Sequence, residues 1–166
     1  MMRRSERPSA SSPLTRRLMQ SIGKTNTRKE RELRSLLHRA GLRFRVHIKP
    51  LPNINRRADV IFTRLKIAVF IDGCFWHGCP LHSHVPRTNE AFWRKKLEGN
   101  RSRDNETNLL LAANGWVVLR YWEHCDMTDA AREVEKTIRM RRAALAGYYG
   151  KESRPVEKNH TTNKRV

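Results

Sequence analysis

The stretch that decides the fold is residues 58–82, with the sequence ADVIFTRLKIAVFIDGCFWHGCPLH. It contains two short apolar runs, 58–62 and 67–71, that are rich in β-branched and aromatic residues. This pattern predicts two β-strands that pair as a hairpin in the core. A later apolar run at 116–122, WVVLRYW, predicts a further core strand.

Helical patterns flank these strands. Thr27 and Glu30 form a capping-box pattern, and apolar residues at helical spacing follow them, which predicts a helix over 27–39. An exposed strand and three more helices are predicted from the same kind of pattern, over 42–47, 88–99, 101–114 and 129–145. The sequence therefore predicts an α/β fold, with a central mixed β-sheet flanked by helices.

The composition indicates one folded domain with polar ends. Apolar residues form 38% of the 166-residue chain, and no apolar run is long enough to span a bilayer. The segments 1–14 and 150–166 are basic and lack an apolar period, so we predict disordered tails around a domain at 15–149. No apolar segment follows the basic start as in a signal peptide, so a cytoplasmic, nucleoid-associated location is expected.

Positive charge is the largest bulk signal. The chain has 35 Lys and Arg against 16 Asp and Glu, a formal net charge of +19. Basic side chains that neutralise phosphates release condensed counterions, so this excess favours a nucleic acid as partner over a membrane. The alternative is a solvated surface with basic tails, which hold part of the excess.

Two acidic residues mark the ends of the predicted hairpin strands, since Asp59 opens one strand and Asp72 closes the next. If the strands pair, these carboxylates can converge and hold Mg²⁺, which polarises a scissile phosphate. The alternative roles are a cap for Asp59 and a turn residue for Asp72 in Asp-Gly.

Cysteine and histidine spacing predicts a zinc loop. Cys74, Cys79 and His82 lie within nine residues of one another, and either His124 or Cys125 supplies a distant fourth ligand. Three local ligands and one distant ligand suit tetrahedral Zn²⁺. The alternative is a pair of buried free thiols beside surface histidines.

Three other side chains of this loop suggest that the protein binds or cleaves DNA. Phe75 and Trp76 are large aromatics in a loop, where they would either wedge between base pairs or plug the core. His77 stands between two cysteines, and an imidazole there suits either proton transfer or metal binding.

The chain resembles the very-short-patch-repair mismatch endonucleases, which nick beside thymine in T:G mismatches left by deamination of 5-methylcytosine. The resemblance covers about two-thirds of the chain, from Thr15 to about His124. It rests on three motifs, Gly73-Cys74-Phe75-Trp76-His77, Phe92-Trp93 with Asn100 and Arg103-Asp104, and Gly115-Trp116 with Trp122-Glu123.

The resemblance implies a fold like the type II restriction endonuclease core, with a structural zinc. It implies the following roles: Mg²⁺ ligand, Asp59; general base or water-positioning group, His77; assisting carboxylate, Glu30; intercalating side chains, Met19, Phe75 and Trp76. Glu30 also has a complete structural explanation as the capping-box partner, and Met19 as an ordinary apolar contact.

This chain departs from the family pattern at two places. Asp72 stands where the family has a catalytic histidine, so it either replaces that histidine or adds a second carboxylate to the metal site. The zinc loop is shorter, so Cys79 and His82 take the places of the family's His and Cys. His124 falls where a ligating Cys is expected, and the spare candidates are His84 and Cys125.

These inferences together predict a monomeric, Mg²⁺-dependent enzyme that nicks one strand of double-stranded DNA at a T:G mismatch and cooperates with mismatch-repair proteins. One alternative is a restriction-like or structure-specific DNA nuclease, since similar cores serve several targets. Another is a non-catalytic zinc module that binds DNA through its basic surface.

Overall fold

The computed structural model describes residues 26–152, with their side chains up to Ala146. Met19, the predicted tail at 1–14 and residues 153–166 of the second predicted tail lie outside the described residues, whereas residues 150–152 of that second tail belong to the last helix. The elements in chain order are α1 (Arg28–Arg39), β1 (Val60–Phe62), a 3₁₀ turn (Thr63–Leu65), β2 (Ile67–Asp72), α2 (Cys74–His77), α3 (Glu90–Ala113), β3 (Val117–Trp122) and α4 (Met127–Glu152).

The three strands form one mixed sheet in the order β1-β2-β3. β1 pairs with β2 antiparallel, with Val60 opposite Val69, which confirms the predicted hairpin. β2 pairs with β3 in parallel from Ile67 opposite Val117 to Asp72 opposite Trp122. The predicted α/β class with a mixed sheet is therefore confirmed.

The sheet buries apolar side chains on both faces, as alternation along a strand requires. On β2, Ile67 and Val69 pack in one cluster with residues of α1 and α4. Ala68 and Phe70 point the other way and pack in a second cluster with Leu111 of α3. α1 and α4 therefore cover one face of the sheet, and α3 covers the other.

α1 begins as the capping pattern predicts. The Thr27 hydroxyl oxygen accepts a hydrogen bond from the backbone N–H of Glu30 at 3.3 Å. The Glu30 carboxylate in turn accepts from the N–H of Asn26 at 2.9 Å, one residue before the cap. The buried residues Leu33 and Leu37 then anchor α1 to the core.

Three details differ from the sequence predictions. The predicted strand at 42–47 makes only an isolated bridge, Arg45 with Ile61. The predicted helices 88–99 and 101–114 form one helix, α3, because a single interior glycine costs only about 1 kcal/mol, which packing offsets. The loop after β2 contains a helical turn, α2, which no sequence pattern predicts. In the described part of the chain, no helix is both long and apolar enough to cross a membrane.

Candidate active site and metal centre

The candidate site is built where β2 ends. The strand closes at Asp72, and α2 follows at once as a single turn that Gly78 ends with a φ of 67°. Because successive residues of a helix point about 100° apart, this turn sends neighbouring side chains in different directions. Cys74, Trp76 and His77 therefore point to different partners. Three groups of polar side chains make up the candidate site.

The first group is an acidic cluster formed by Glu30, His47 and Asp59, whose ligand atoms lie within 4.8 Å of one another. Arg34 closes it, with its Nη2 2.7 Å from Glu30 Oε2 and 3.2 Å from His47 Nε2. Glu30 is buried at 5% exposure, so its charge is compensated inside the protein. In the described protein, Arg34 supplies that positive charge.

Asp59 is the residue that joins the acidic cluster to the sheet. Its Oδ2 accepts a hydrogen bond from the N–H of Ile71 at 2.8 Å, which ties it to β2. Burial raises its pKa to about 6; the Ile71 hydrogen bond opposes that rise, and the charges of Glu30 and Asp72 add to it. Asp72 is thus near enough to act on Asp59 electrostatically, and a cation at Asp59 would relieve this accumulation of negative charge.

The second group is a histidine cluster formed by Asp72, His77, Asp104 and Arg120. His77 Nδ1 lies 2.5 Å from Asp104 Oδ2 and 3.6 Å from Asp72 Oδ1. Arg120 spans the same two carboxylates, with Nη1 3.3 Å from Asp72 and Nη2 3.3 Å from Asp104. A cavity of about 330 Å³ opens beside this cluster and is lined in part by all four residues.

Charge in the histidine cluster is distributed so that the imidazole favours its protonated form. Burial alone lowers the pKa of His77, but the Asp104 hydrogen bond and the Asp72 charge together raise it above its ordinary value. Burial raises the pKa of Asp72 against the opposing charges of Arg120 and His77. Burial also raises the pKa of Asp104, but its contacts to His77 and Arg120 lower it overall. Since Nδ1 donates to Asp104, Nε2 is the ring nitrogen left to act on a substrate.

The third group is a Cys/His cluster formed by Cys74, Cys79, His82 and His124. Cys74 Sγ lies 3.1 Å from His124 Nδ1, and Cys79 Sγ lies 3.7 Å from both imidazole Nδ1 atoms. The two imidazole Nδ1 atoms are 3.2 Å apart. Glu123 fixes the start of the loop, because its Oε1 accepts from the N–H of Cys74 at 2.7 Å.

This donor set fits a tetrahedral zinc ion. Zinc bonds of about 2.0 Å to nitrogen and about 2.3 Å to sulfur place tetrahedral ligand atoms about 3.3 to 3.8 Å apart, close to the separations found here. Burial raises the pKa of the Cys74 thiol to about 11, so a bound metal ion would have to displace its proton. His84 and Cys125 are outside the cluster, and Cys125 packs against the core.

The aromatic pair after Cys74 packs against α3 and belongs to neither apolar core cluster. The Phe75 ring lies 5.0 Å from Trp76 and 5.5 Å from Trp93, between ring centroids. Lys96 Nζ lies 5.3 Å from the Trp76 ring centroid, and Asn100 holds the Trp76 backbone carbonyl at 2.7 Å. Both aromatics are half-buried, so part of each ring is available to a ligand.

The structure distributes the predicted residues over these groups. Asp59 and Glu30 lie in the acidic cluster, Asp72 and His77 in the histidine cluster, and all four predicted zinc ligands in the Cys/His cluster. Sequence reasoning assigned no role to four residues of these clusters: Arg34, His47, Asp104 and Arg120. Two of the four carried a signal: Arg120, as a charged residue in the middle of an apolar strand, and Asp104, as a member of a family motif.

Comparison with known proteins identifies relatives of this chain. Residues 12–83 match the family model described as DNA mismatch endonuclease Vsr. The type II nicking enzyme V.NaeI of Lentzea aerocolonigenes is 43% identical over 74% of this chain and 75% of its own length. The type II nicking enzyme V.XorIIP of Xanthomonas oryzae pv. oryzae is 42% identical over 71% of this chain and 85% of its own. The DNA mismatch endonuclease Vsr of Escherichia coli is 37% identical over 63% of this chain and 66% of its own.

The fold, the site and these relatives together define a DNA endonuclease, a hydrolase of phosphodiester bonds. The chain belongs to the Vsr endonuclease family. Family membership therefore favours the enzyme over the non-catalytic zinc module.

Proposed function

We propose that the protein is a Mg²⁺-dependent endonuclease that nicks one strand of DNA beside the thymine of a T:G mismatch. The observation that carries the proposal is that two groups meet at the end of β2: Asp59, tied to β2 by the Ile71 N–H, and His77, which shares its helical turn with the half-buried Phe75-Trp76 pair. Carboxylates, an imidazole and intercalating rings are the groups that cutting next to a weakened base pair requires.

The acidic cluster is the proposed magnesium site. Asp59 and Glu30 offer hard carboxylate oxygens, which Mg²⁺ prefers, and Asp59 is fixed on the sheet by the Ile71 N–H. When bound there, Mg²⁺ would polarise the scissile phosphate and stabilise the leaving oxygen. Arg34 already balances the charge of Glu30, so bound Mg²⁺ would either share the Glu30 carboxylate with the Arg34 guanidinium or displace the guanidinium from it.

His77 is the proposed general base or water-positioning group. Asp104 holds its Nδ1, so Nε2 can face the attacking water and accept its proton when the ring is neutral. Phe75 and Trp76 are the proposed wedge, supported from behind by Trp93. Met19 is proposed as a third intercalating residue on the family resemblance alone, because it lies outside the described residues.

The Cys/His cluster is proposed to hold structural zinc. Its four ligands come from two segments, 74–82 and the residues after β3. Zinc binding would therefore tie α2, the turn that carries His77, to the end of β3 without taking part in cleavage.

A second candidate is cutting at a fixed sequence without a mismatch. It is favoured by the names of the relatives from Lentzea aerocolonigenes and Xanthomonas oryzae, which are called type II nicking enzymes. The two candidates differ in what they require of the substrate, so matched duplexes separate them.

The test is cleavage of end-labelled duplexes that differ only by a central T:G or T:A pair, in several sequence contexts, with and without Mg²⁺. We expect a Mg²⁺-dependent nick beside the mismatched thymine, lost in Asp59→Ala with DNA binding retained. Asp129→Ala is the matched control, because Asp129 is exposed and pairs only with Arg132 among its described contacts. Equal nicking of paired duplexes would favour the second candidate, and wild-type rates in Asp59→Ala would contradict the metal site.

A further inference from the structure

Arg120 is a partly buried charge at an unusual place. It lies in the middle of β3, opposite Phe70 of β2, and its guanidinium carbon is 4.8 Å from the Phe70 ring centroid. Its side chain is 19% exposed. A charged residue held in an apolar strand needs a compensating anion, and here two carboxylates provide it.

The two carboxylates that Arg120 contacts are the same two that flank His77. Asp72 comes from the end of β2, and Asp104 from the middle of α3. Each is 3.3 Å from a different terminal nitrogen of the guanidinium, so the planar group sets the distance between them. His77 Nδ1 lies between these carboxylates, 2.5 Å from one and 3.6 Å from the other.

We propose that Arg120 is a positioning residue, which orients His77 by bridging Asp72 and Asp104. This inference rests on the proposed role of His77 in cleavage. It also assigns Asp72: the Arg120 bridge and the His77 contact engage both of its oxygens. Asp72 is then part of the support for His77 rather than a second ligand for Mg²⁺ at the acidic cluster.

Without the bridge, Asp72 and Asp104 would repel each other and His77 would lose its fixed orientation. Misplacing a catalytic group by about 1 Å can lower a rate by about 100-fold. We therefore expect Arg120→Gln to lower the single-turnover rate constant by about 10- to 100-fold at saturating enzyme. The dissociation constant for DNA should change little, within about threefold, as for the loss of one charge.

The matched control is Arg101→Gln. Arg101 lines the same cavity and donates to the Gly78 carbonyl at 3.0 Å, but none of its described contacts is with Asp72 or Asp104. Both variants remove one positive charge from this cavity. Only Arg120→Gln should lower the rate constant, and Arg120→Lys should recover part of it, since a lysine keeps the charge but loses the two-pronged geometry.

A double-mutant cycle tests whether Arg120 acts through Asp72. If it does, Asp72→Asn combined with Arg120→Gln loses less activity than the product of the two single losses. Losses that multiply would show independent roles and overturn the proposal. A change confined to DNA affinity would also overturn it, because Arg120 would then be a DNA contact.

A second readout is independent of cutting. The readout is the ¹⁵N spectrum of the histidine side chains at fixed pH. The His77 Nδ1 proton that is hydrogen-bonded to Asp104 should exchange slowly with water and so give a visible signal in the wild type and in Arg101→Gln. Its loss in folded Arg120→Gln supports the proposal, and an unchanged signal contradicts it. A wild type that cuts none of the duplexes would contradict the proposed function alone, and these spectra would still decide the role of Arg120.

Discussion

Replacing Asp59 by Asn should stabilise the Mg²⁺-free protein while it abolishes cleavage. The carboxylate lies among other negative charges in a partly buried cluster, where burial raises its pKa from 3.8 to about 6. A raised pKa means that the folded protein holds this proton more tightly than the unfolded chain does. Ionised Asp59 therefore opposes folding, and an uncharged amide removes that opposition.

The magnitude follows from the same shift. Each pKa unit corresponds to about 1.4 kcal/mol, so ionised Asp59 lowers the free energy of unfolding by up to about 3 kcal/mol. This destabilisation by ionised Asp59 is absent below pH 3.8 and complete above about pH 6. Because the side-chain amide oxygen of the variant can still accept from the Ile71 N–H, we expect Asp59→Asn to gain about 2 kcal/mol at pH 7.

The assay is urea unfolding of wild type and Asp59→Asn, without Mg²⁺ or chelator, between pH 4 and pH 7.5. The gain in unfolding free energy should grow as the pH rises and level off above pH 6. Asp129→Asn, at an exposed position, is the control and should show no such gain. A variant that is less stable than wild type at pH 7, or a difference that does not change with pH, would refute the argument from buried charge.

Three further predictions concern the metal ions and the aromatic pair. Below about pH 6, Mg²⁺ must displace a proton from Asp59, so the Mg²⁺ concentration for half-maximal cleavage should rise about tenfold per pH unit as the pH falls, in a titration at fixed ionic strength. Cys79→Ser should lower the zinc content measured by mass spectrometry and reduce the melting temperature, whereas Cys125→Ser, outside the Cys/His cluster, should keep the zinc. Trp76→Ala should reduce the preference for T:G over paired duplexes at least tenfold in competition binding, because it removes part of the wedge; an unchanged ratio would assign Trp76 to packing alone.

Local patterns sufficed to predict the three strands of the sheet and the first helix. The β-branched runs favour strands wherever they lie, and the Thr27 cap marks the start of the helix. They failed where contacts between distant segments decide the bounds of an element. The sequence predicts a helix boundary at Gly99, yet α3 continues through this residue and Asn100 binds the Trp76 carbonyl. The turn α2 is too short for any periodicity to reveal it.

The same limit applies to the site. The Cys/His spacing predicted a cluster that converges in space, because three of its members are close in sequence. Asp72 precedes His77 closely, but Asp104 of α3 and Arg120 of β3, which complete the histidine cluster, lie 27 and 43 positions further along the chain, and no local pattern connects them. Asp104 belonged to a family motif without an assigned role, and only the fold shows that it contacts His77.

The single helical turn between Cys74 and Cys79 also limits how the chain can change in length. One residue inserted or deleted there would rotate every later side chain of the turn by about 100°. A cysteine of the Cys/His cluster, a stacking ring and an imidazole would all lose their partners at once, whatever residue was added or removed. Segment 83–88, between His82 and the Asn89 N-cap of α3, contains no helix or strand, so tolerated insertions and deletions should fall there and not within the turn.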